Sequence, residues 1–193
     1  MAFQYFSNPI FGFVKDVAAV FAGGELAERM FLAVICLLPF ILALIFRGQP
    51  LKSFGWAKDN FKVGVTLGLL LVVVTIFLRG KFTTLLHGIT PEQGNLLLVW
   101  LLLAFAEESI FRGYIQGRLS SLFGAVWGWL ATAGLFVMWQ LPGRLWVSPI
   151  SDYWHILVIT TVQGLLLGWI MRKSGHVIAP MLFRAAASWL LLI

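Results

Sequence analysis

The sequence predicts an all-α membrane protein: a polytopic helical bundle of about six transmembrane helices, preceded by an N-terminal interfacial helix. Hydrophobic residues make up 60% of the chain and charged residues only 11%, whereas soluble domains carry about 25% charged residues. The apolar residues also form repeated runs near the length of about 20 residues that a helix needs to cross a bilayer. The predicted spans are residues 29–46, 62–78, 95–118, 122–141, 153–171 and 177–193.

The sequence predicts two units, an N-terminal interfacial helix in residues 1–28 and a single transmembrane domain in residues 29–193. The opening stretch MAFQYFSNP has no basic start of the kind that begins a signal peptide, so we expect it to be retained. After Pro9, apolar residues recur at helical spacing around Lys15 and Asp16, as in a helix that lies in the membrane interface. An ordinary amphipathic packing helix fits the same pattern.

Basic residues collect in alternate loops, which predicts that both termini lie outside the cytoplasm. The net charge of +6 therefore indicates topology, and we expect no nucleic-acid partner. The predicted partners are membrane lipids and other integral membrane proteins, bound through apolar and aromatic helix faces. The predicted location is a bacterial inner or plasma membrane, crossed several times. The loop that contributes most to this orientation carries Arg47, Lys52, Lys58 and Lys62.

The third predicted span contains three charged residues, Glu107, Glu108 and Arg112. Each charge at bilayer depth costs about 2.5–3.5 kcal/mol, so these residues need partners, water or a function. Glu108 and Arg112 are four residues apart and can pair on one helix face, whereas Glu107 points about 100° away. A carboxylate left alone in an apolar site can act as a general base on water. A buried ion-pair network without chemistry explains the same residues.

The glutamate pair with an arginine four residues later, followed by Gly113 and Tyr114, resembles the first signature of the CPBP family. This family includes type II CAAX proteases and bacteriocin-processing membrane proteins. The stretches LKSFGWAK, at residues 51–58, and QGLLLGWIMRKSGHVIAPMLFRAAAS, at residues 163–188, resemble further segments of the family. The resemblance implies a glutamic intramembrane protease fold. It also implies that Glu107 is the base that activates water, with Glu108 and Arg112 in supporting roles.

The chain departs from the family pattern at three positions. The resemblance implies a His on the fourth span and a His with an Asn or Asp on the last, but Gln140, Arg184 and Ser188 stand there. A glutamine can position water but cannot take a proton as imidazole does. An arginine keeps its charge and holds an adjacent carboxylate in an ion pair, which makes a poor base. We therefore predict a closed polar cluster that holds helices together or receives a partner's polar group.

Two functions remain open from the sequence. We favour a non-proteolytic subunit or scaffold of a membrane protein complex. The alternative is an endopeptidase that processes a peptide, prenylated or not, near the membrane surface, with Gln140, Arg184 and Ser188 in altered helper roles. A small transporter is disfavoured because no inverted repeat is visible.

Other catalytic chemistries find little support in the sequence, and no cofactor or metal is predicted. His87, His155 and His176 lack the spacing of a helical metal pair, so a zinc site would have to be assembled from distant parts of the chain. Ser109 and Ser188 lack the Gly-x-Ser-x-Gly elbow and the paired histidine that activate a serine nucleophile.

Overall fold

The computed structural model describes residues 25–48, 51–140 and 154–193. Within these residues every regular element is a helix, which confirms the predicted all-α class. The predicted interfacial helix lies outside the described residues. The α-helices are α1 (Glu25–Phe46), α2 (Phe61–Leu78), α3 (Phe82–Leu86), α4 (Pro91–Glu108), α5 (Gln116–Phe123), α6 (Ala125–Gln140), α7 (Trp154–Ser174) and α8 (Ile178–Trp189).

Three stretches of the described chain are long and apolar enough to cross a membrane: Lys58–Leu78, Pro91–Phe123 and Trp154–Ser174. They coincide with the second, third and fifth predicted spans. The other three predicted spans correspond to α1, α6 and α8, of which α8 has 12 residues. The architecture is therefore that of an all-α membrane bundle, and the count of six crossings stays a prediction.

Helix α4 begins earlier than the sequence pattern indicates. The third predicted span starts at residue 95, but the helix already starts at Pro91, so this predicted boundary is wrong. The Thr90 side chain accepts a hydrogen bond from the Gln93 backbone N–H at 3.3 Å, and the Gln93 side chain accepts one from the Thr90 N–H at 2.9 Å. This reciprocal capping box, with proline at the first helical position, starts a helix.

Helix α4 continues into a seven-residue π-helical segment, Ser109–Ile115, before α5 begins. Such wide turns are rare and occur frequently at functional sites. The segment contains Gly113, whose backbone lies against the backbone of Phe54. A Cβ atom at position 113 would lie 2.7 Å from the Phe54 carbonyl carbon, closer than real Cβ atoms approach. Glycine is therefore required for this contact.

Residues 51–57, which belong to the stretch LKSFGWAK that resembles a family segment, are packed into the bundle. The Phe54 ring is fully buried, and the Gly55 carbonyl accepts a hydrogen bond from the Val177 N–H at 3.1 Å. The Trp56 indole donates to the Ser109 hydroxyl at 3.1 Å. These contacts tie the segment both to the π-helical segment and to the connection between α7 and α8.

Helix packing brings distant parts of the sequence to the C-terminal end of α4. Helix α8 packs on α2 and α4, while α6 packs on α5 and α7 and contacts the π-helical segment. A core cluster joins α1, the 51–57 segment, the π-helical segment and α6. Its buried members are Leu37, Phe54, Ile110, Phe111 and Phe136.

Candidate functional site

The predicted charged residues lie together inside the bundle, at the junction of α4 and the π-helical segment. Glu107 is 5% exposed, Glu108 0% and Arg112 1%. The Arg112 Nε atom is 3.3 Å from Glu108 Oε2, so the intrahelical pair expected from their spacing is present. Because ions this deeply buried lose their hydration, each of them needs a partner within the protein.

Arg184, on α8, provides the second cation of the site. Its Nη1 atom donates to Glu108 Oε1 at 2.8 Å, and its Nη2 atom pairs with Glu107 Oε2. The planar guanidinium presents several N–H groups in a fixed fork, so it can reach two carboxylates at once. The angular separation of the two glutamates on α4 therefore does not leave Glu107 alone.

Phe136, on α6, completes the surroundings of both arginines. The guanidinium carbons of Arg112 and Arg184 lie 4.7 Å and 4.8 Å from the centre of its fully buried ring. A cation over an aromatic face is attracted by the ring's negative electrostatic potential. The sequence does not identify Phe136 as part of the site. The available signal is its position four residues before Gln140, on the same helix face.

We call Glu107, Glu108, Arg112, Arg184 and Phe136 the charge cluster. The remaining sequence candidates lie one helical turn beyond it. Gln140 is the last residue of α6, four residues after Phe136, and Ser188 is four residues after Arg184 on α8. Both are half-buried, and their spacing puts them on the helix faces that carry the cluster residues.

The charge cluster contains two carboxylates and two guanidiniums, so its formal charges balance. Both oxygens of Glu108 lie against a guanidinium nitrogen. By contrast, Arg112 Nη1 and Nη2 have no hydrogen-bond partner among the described residues, although the guanidinium carbon lies over the Phe136 ring. Chemically, the arrangement joins α4, α6, α8 and the π-helical segment through ion pairs and cation–π contacts.

Ser109, considered as a nucleophile from sequence, is fully buried next to the charge cluster. Its hydroxyl oxygen accepts the hydrogen bond of the Trp56 indole, and the Trp56 ring stacks on Phe105 with ring centres 5.4 Å apart. The serine therefore anchors the 51–57 segment. This contact has no signal in the sequence, because only the folding of the chain brings residues 56 and 109 together.

The three histidines occupy separate positions in the described structure. His87 is exposed, with Nδ1 2.7 Å from the Thr83 carbonyl oxygen, and His155 is exposed near the start of α7. His176 is buried between α7 and α8. Across the described ranges, no three His, Cys, Asp or Glu side chains are grouped so that they could hold a metal ion.

His176 predicts a pH dependence of stability. Its Nδ1 atom accepts a hydrogen bond from the Ile178 N–H at 3.0 Å, so this nitrogen carries no proton. Burial lowers the pKa of His176 below its ordinary value near 6.5. Below that pH the unfolded chain binds more protons than the folded one, so stability is retained above about pH 6.5 and falls as the pH drops further.

Thermal unfolding followed between pH 8 and pH 5 tests this expectation. His176→Gln should weaken the loss of stability on acidification. His87→Gln, which changes an exposed ring, should leave the loss unchanged. Equal pH profiles for the wild type and His176→Gln would contradict the assignment.

The fold and the charge cluster together define a class: an all-α membrane protein with a glutamate pair and an arginine at the centre of its bundle. A family model described as type II CAAX prenyl endopeptidase Rce1-like matches residues 90–190. The chain belongs to this Rce1-like family, which confirms the resemblance noted from its motifs. The segment LKSFGWAK lies outside the matched residues. No curated protein and no solved structure shows a significant match to the chain.

Proposed function

We propose that this CAAX protease-like membrane protein does not cleave peptides and serves as a subunit or scaffold of a membrane protein complex, crossing the membrane several times. One observation carries the proposal. Arg184 contacts both Glu107 and Glu108, at the position where the family resemblance implies a histidine.

The argument concerns the oxygen atoms that a catalytic water would use. A general base must lie within hydrogen-bond reach of the water from which it takes a proton. Arg184 already occupies Glu107 Oε2 and Glu108 Oε1, while Arg112 lies against the other oxygen of Glu108. An arginine stays protonated under all ordinary conditions, so Arg184 does not release the carboxylates by losing its charge. At Glu107 Oε2 and at both oxygens of Glu108, water must therefore compete with a permanent cation.

The helix surfaces support a role in assembly. Helix α2 is apolar around its circumference and exposes Val63, Leu70 and Phe77 by 54%, 58% and 59%. Trp127 and Trp154 expose 69% and 66% of their surfaces. Membrane helices associate through closely packed apolar faces, and tryptophan is enriched at membrane interfaces. These are the surfaces on which a neighbouring membrane protein would pack.

A peptidase assay with a matched variant tests the proposal. The protein and its Glu107→Gln variant are reconstituted in lipid and incubated with a prenylated CAAX peptide, next to an active Rce1-like protease as positive control. We expect the wild type to cleave no faster than the variant. Affinity purification from native membranes should also recover the same membrane proteins with both forms.

A second outcome of the same assay would contradict the proposal. Cleavage by the wild type that is lost in Glu107→Gln, with the recovered complex unchanged, would establish the peptidase function and overturn the scaffold proposal. Family membership and the intact Glu107, Glu108 and Arg112 motif favour this second function.

A further inference from the structure

Three segments that are distant in sequence meet at one end of the bundle. The Phe54 backbone contacts Gly113, the Gly55 carbonyl accepts a hydrogen bond from Val177, and the Asn60 side chain lies against Gly175. The loop after α1, the π-helical segment with the start of α5, and the connection between α7 and α8 therefore form one surface. We call it the basic end because of the residues that it carries.

The basic end has a strong excess of positive charge. Among the described residues, its single carboxylate is that of Asp59. The opposite end, where the Trp189 indole donates to the Gln93 carbonyl, carries Arg79, Lys81 and Glu92. The cations of the basic end are exposed except for Arg118, which is half-buried. They are Arg47, Lys52, Lys58, Lys62, Arg118, Arg172 and Lys173.

These cations continue directly into an apolar surface. Lys58 precedes α2, and Lys62 lies in its first turn. In the same turn Phe61 and Val63 are 49% and 54% exposed. Further along the same helix, Leu70 is 58% exposed. Arg172 lies over the ring of Trp129, with its guanidinium carbon 5.4 Å from the ring centre. The basic end therefore adjoins the exposed apolar side chains of α2.

We propose that the basic end binds the headgroups of anionic phospholipids, whose acyl chains lie along α2. The proposal concerns a different surface from the charge cluster, so it does not depend on whether Glu107 is catalytic. A soluble acidic protein would match the charges but would leave the apolar side chains of α2 without a partner. A phospholipid matches both, because its phosphate is joined to apolar chains, just as the cations adjoin the apolar side chains of α2.

The orientation that the basic loops predict supports the same occupant. Basic loops face the cytoplasm in most membrane proteins, and the cytoplasmic leaflet carries anionic lipids that attract basic residues beside membrane helices. Each such residue contributes about 1 kcal/mol near the surface, which corresponds to about a fivefold change in affinity.

Lipid binding to the purified full-length chain tests the proposal. The protein in nonionic detergent is titrated with phosphatidylglycerol or with phosphatidylcholine, and bound lipid is counted by native mass spectrometry. We expect tighter binding of phosphatidylglycerol, weakened by added salt. The variant K58Q/K62Q should lose about thirtyfold of that affinity, at about fivefold for each cation removed.

The matched control is R79Q/K81Q, which removes two cations from the opposite end and should keep the preference for phosphatidylglycerol. Equal binding of the two lipids by the wild type would overturn the proposal, as would equal losses in the two double variants. A soluble polyaspartate peptide or inorganic phosphate that binds the wild type as tightly as phosphatidylglycerol would also overturn it, since either would show that the acyl chains contribute nothing.

Discussion

Replacing Arg184 with leucine is expected to lower the free energy of unfolding by about 3–5 kcal/mol, the cost of removing one partner from a buried ion pair. The substitution leaves Glu107 and Glu108 buried with only Arg112 as a cation. Arg112 pairs with Glu108 through Nε at 3.3 Å, so Glu107 would lose its ion-pair partner. The loss should be large because a buried charge without a partner keeps its full desolvation cost.

Chemical unfolding followed by tryptophan fluorescence measures this change. The informative control is the double variant R184L/E107Q, which removes the Arg184 cation together with the Glu107 carboxylate that would otherwise lose its ion-pair partner. We expect the double variant to recover a large part of the stability lost in Arg184→Leu. Equal stabilities for the single and the double variant would show that Glu107 does not depend on Arg184.

Local spacing explains which parts of the charge cluster could be predicted from the sequence. The four-residue interval between Glu108 and Arg112 identifies a pair on one helix face, because helix geometry fixes the neighbours of each side chain. Arg184 was placed beside a carboxylate because it stands where the family resemblance implies a histidine on the last span. Both inferences use information that is local or carried by a motif.

The contacts between distant segments could not be predicted in the same way. Phe136 lies against two arginines, and Trp56 binds Ser109, only because α6 and the 51–57 segment pack where they do. The π-helical segment was also missed, since a single sequence does not distinguish its wider turn from an α-helical one. The early start of α4 was missed for another reason: a Thr-Pro pair suits both a loop and a helix cap.

Replacing Gly113 with alanine is expected to destabilise the fold by about 1–3 kcal/mol, the usual cost of an added carbon in a well-packed interior. The sign is informative, because helix propensity alone favours alanine over glycine by about 1 kcal/mol. Steric overlap should win at this position, since the added Cβ would meet backbone atoms of Phe54. A flexible side chain could turn aside, but a carbonyl group held by its neighbours cannot.

Gly94→Ala is the matched control, because Gly94 also lies within a helix but has no atom within 4 Å of an added Cβ. Propensity should act alone there and stabilise the protein by up to about 1 kcal/mol. Unfolding measurements on the two variants should therefore give opposite signs. If Gly113→Ala were also stabilising, the 51–57 segment could not be in contact with the π-helical segment. The Trp56 bond to Ser109, which depends on the same approach of the two segments, would then be absent as well.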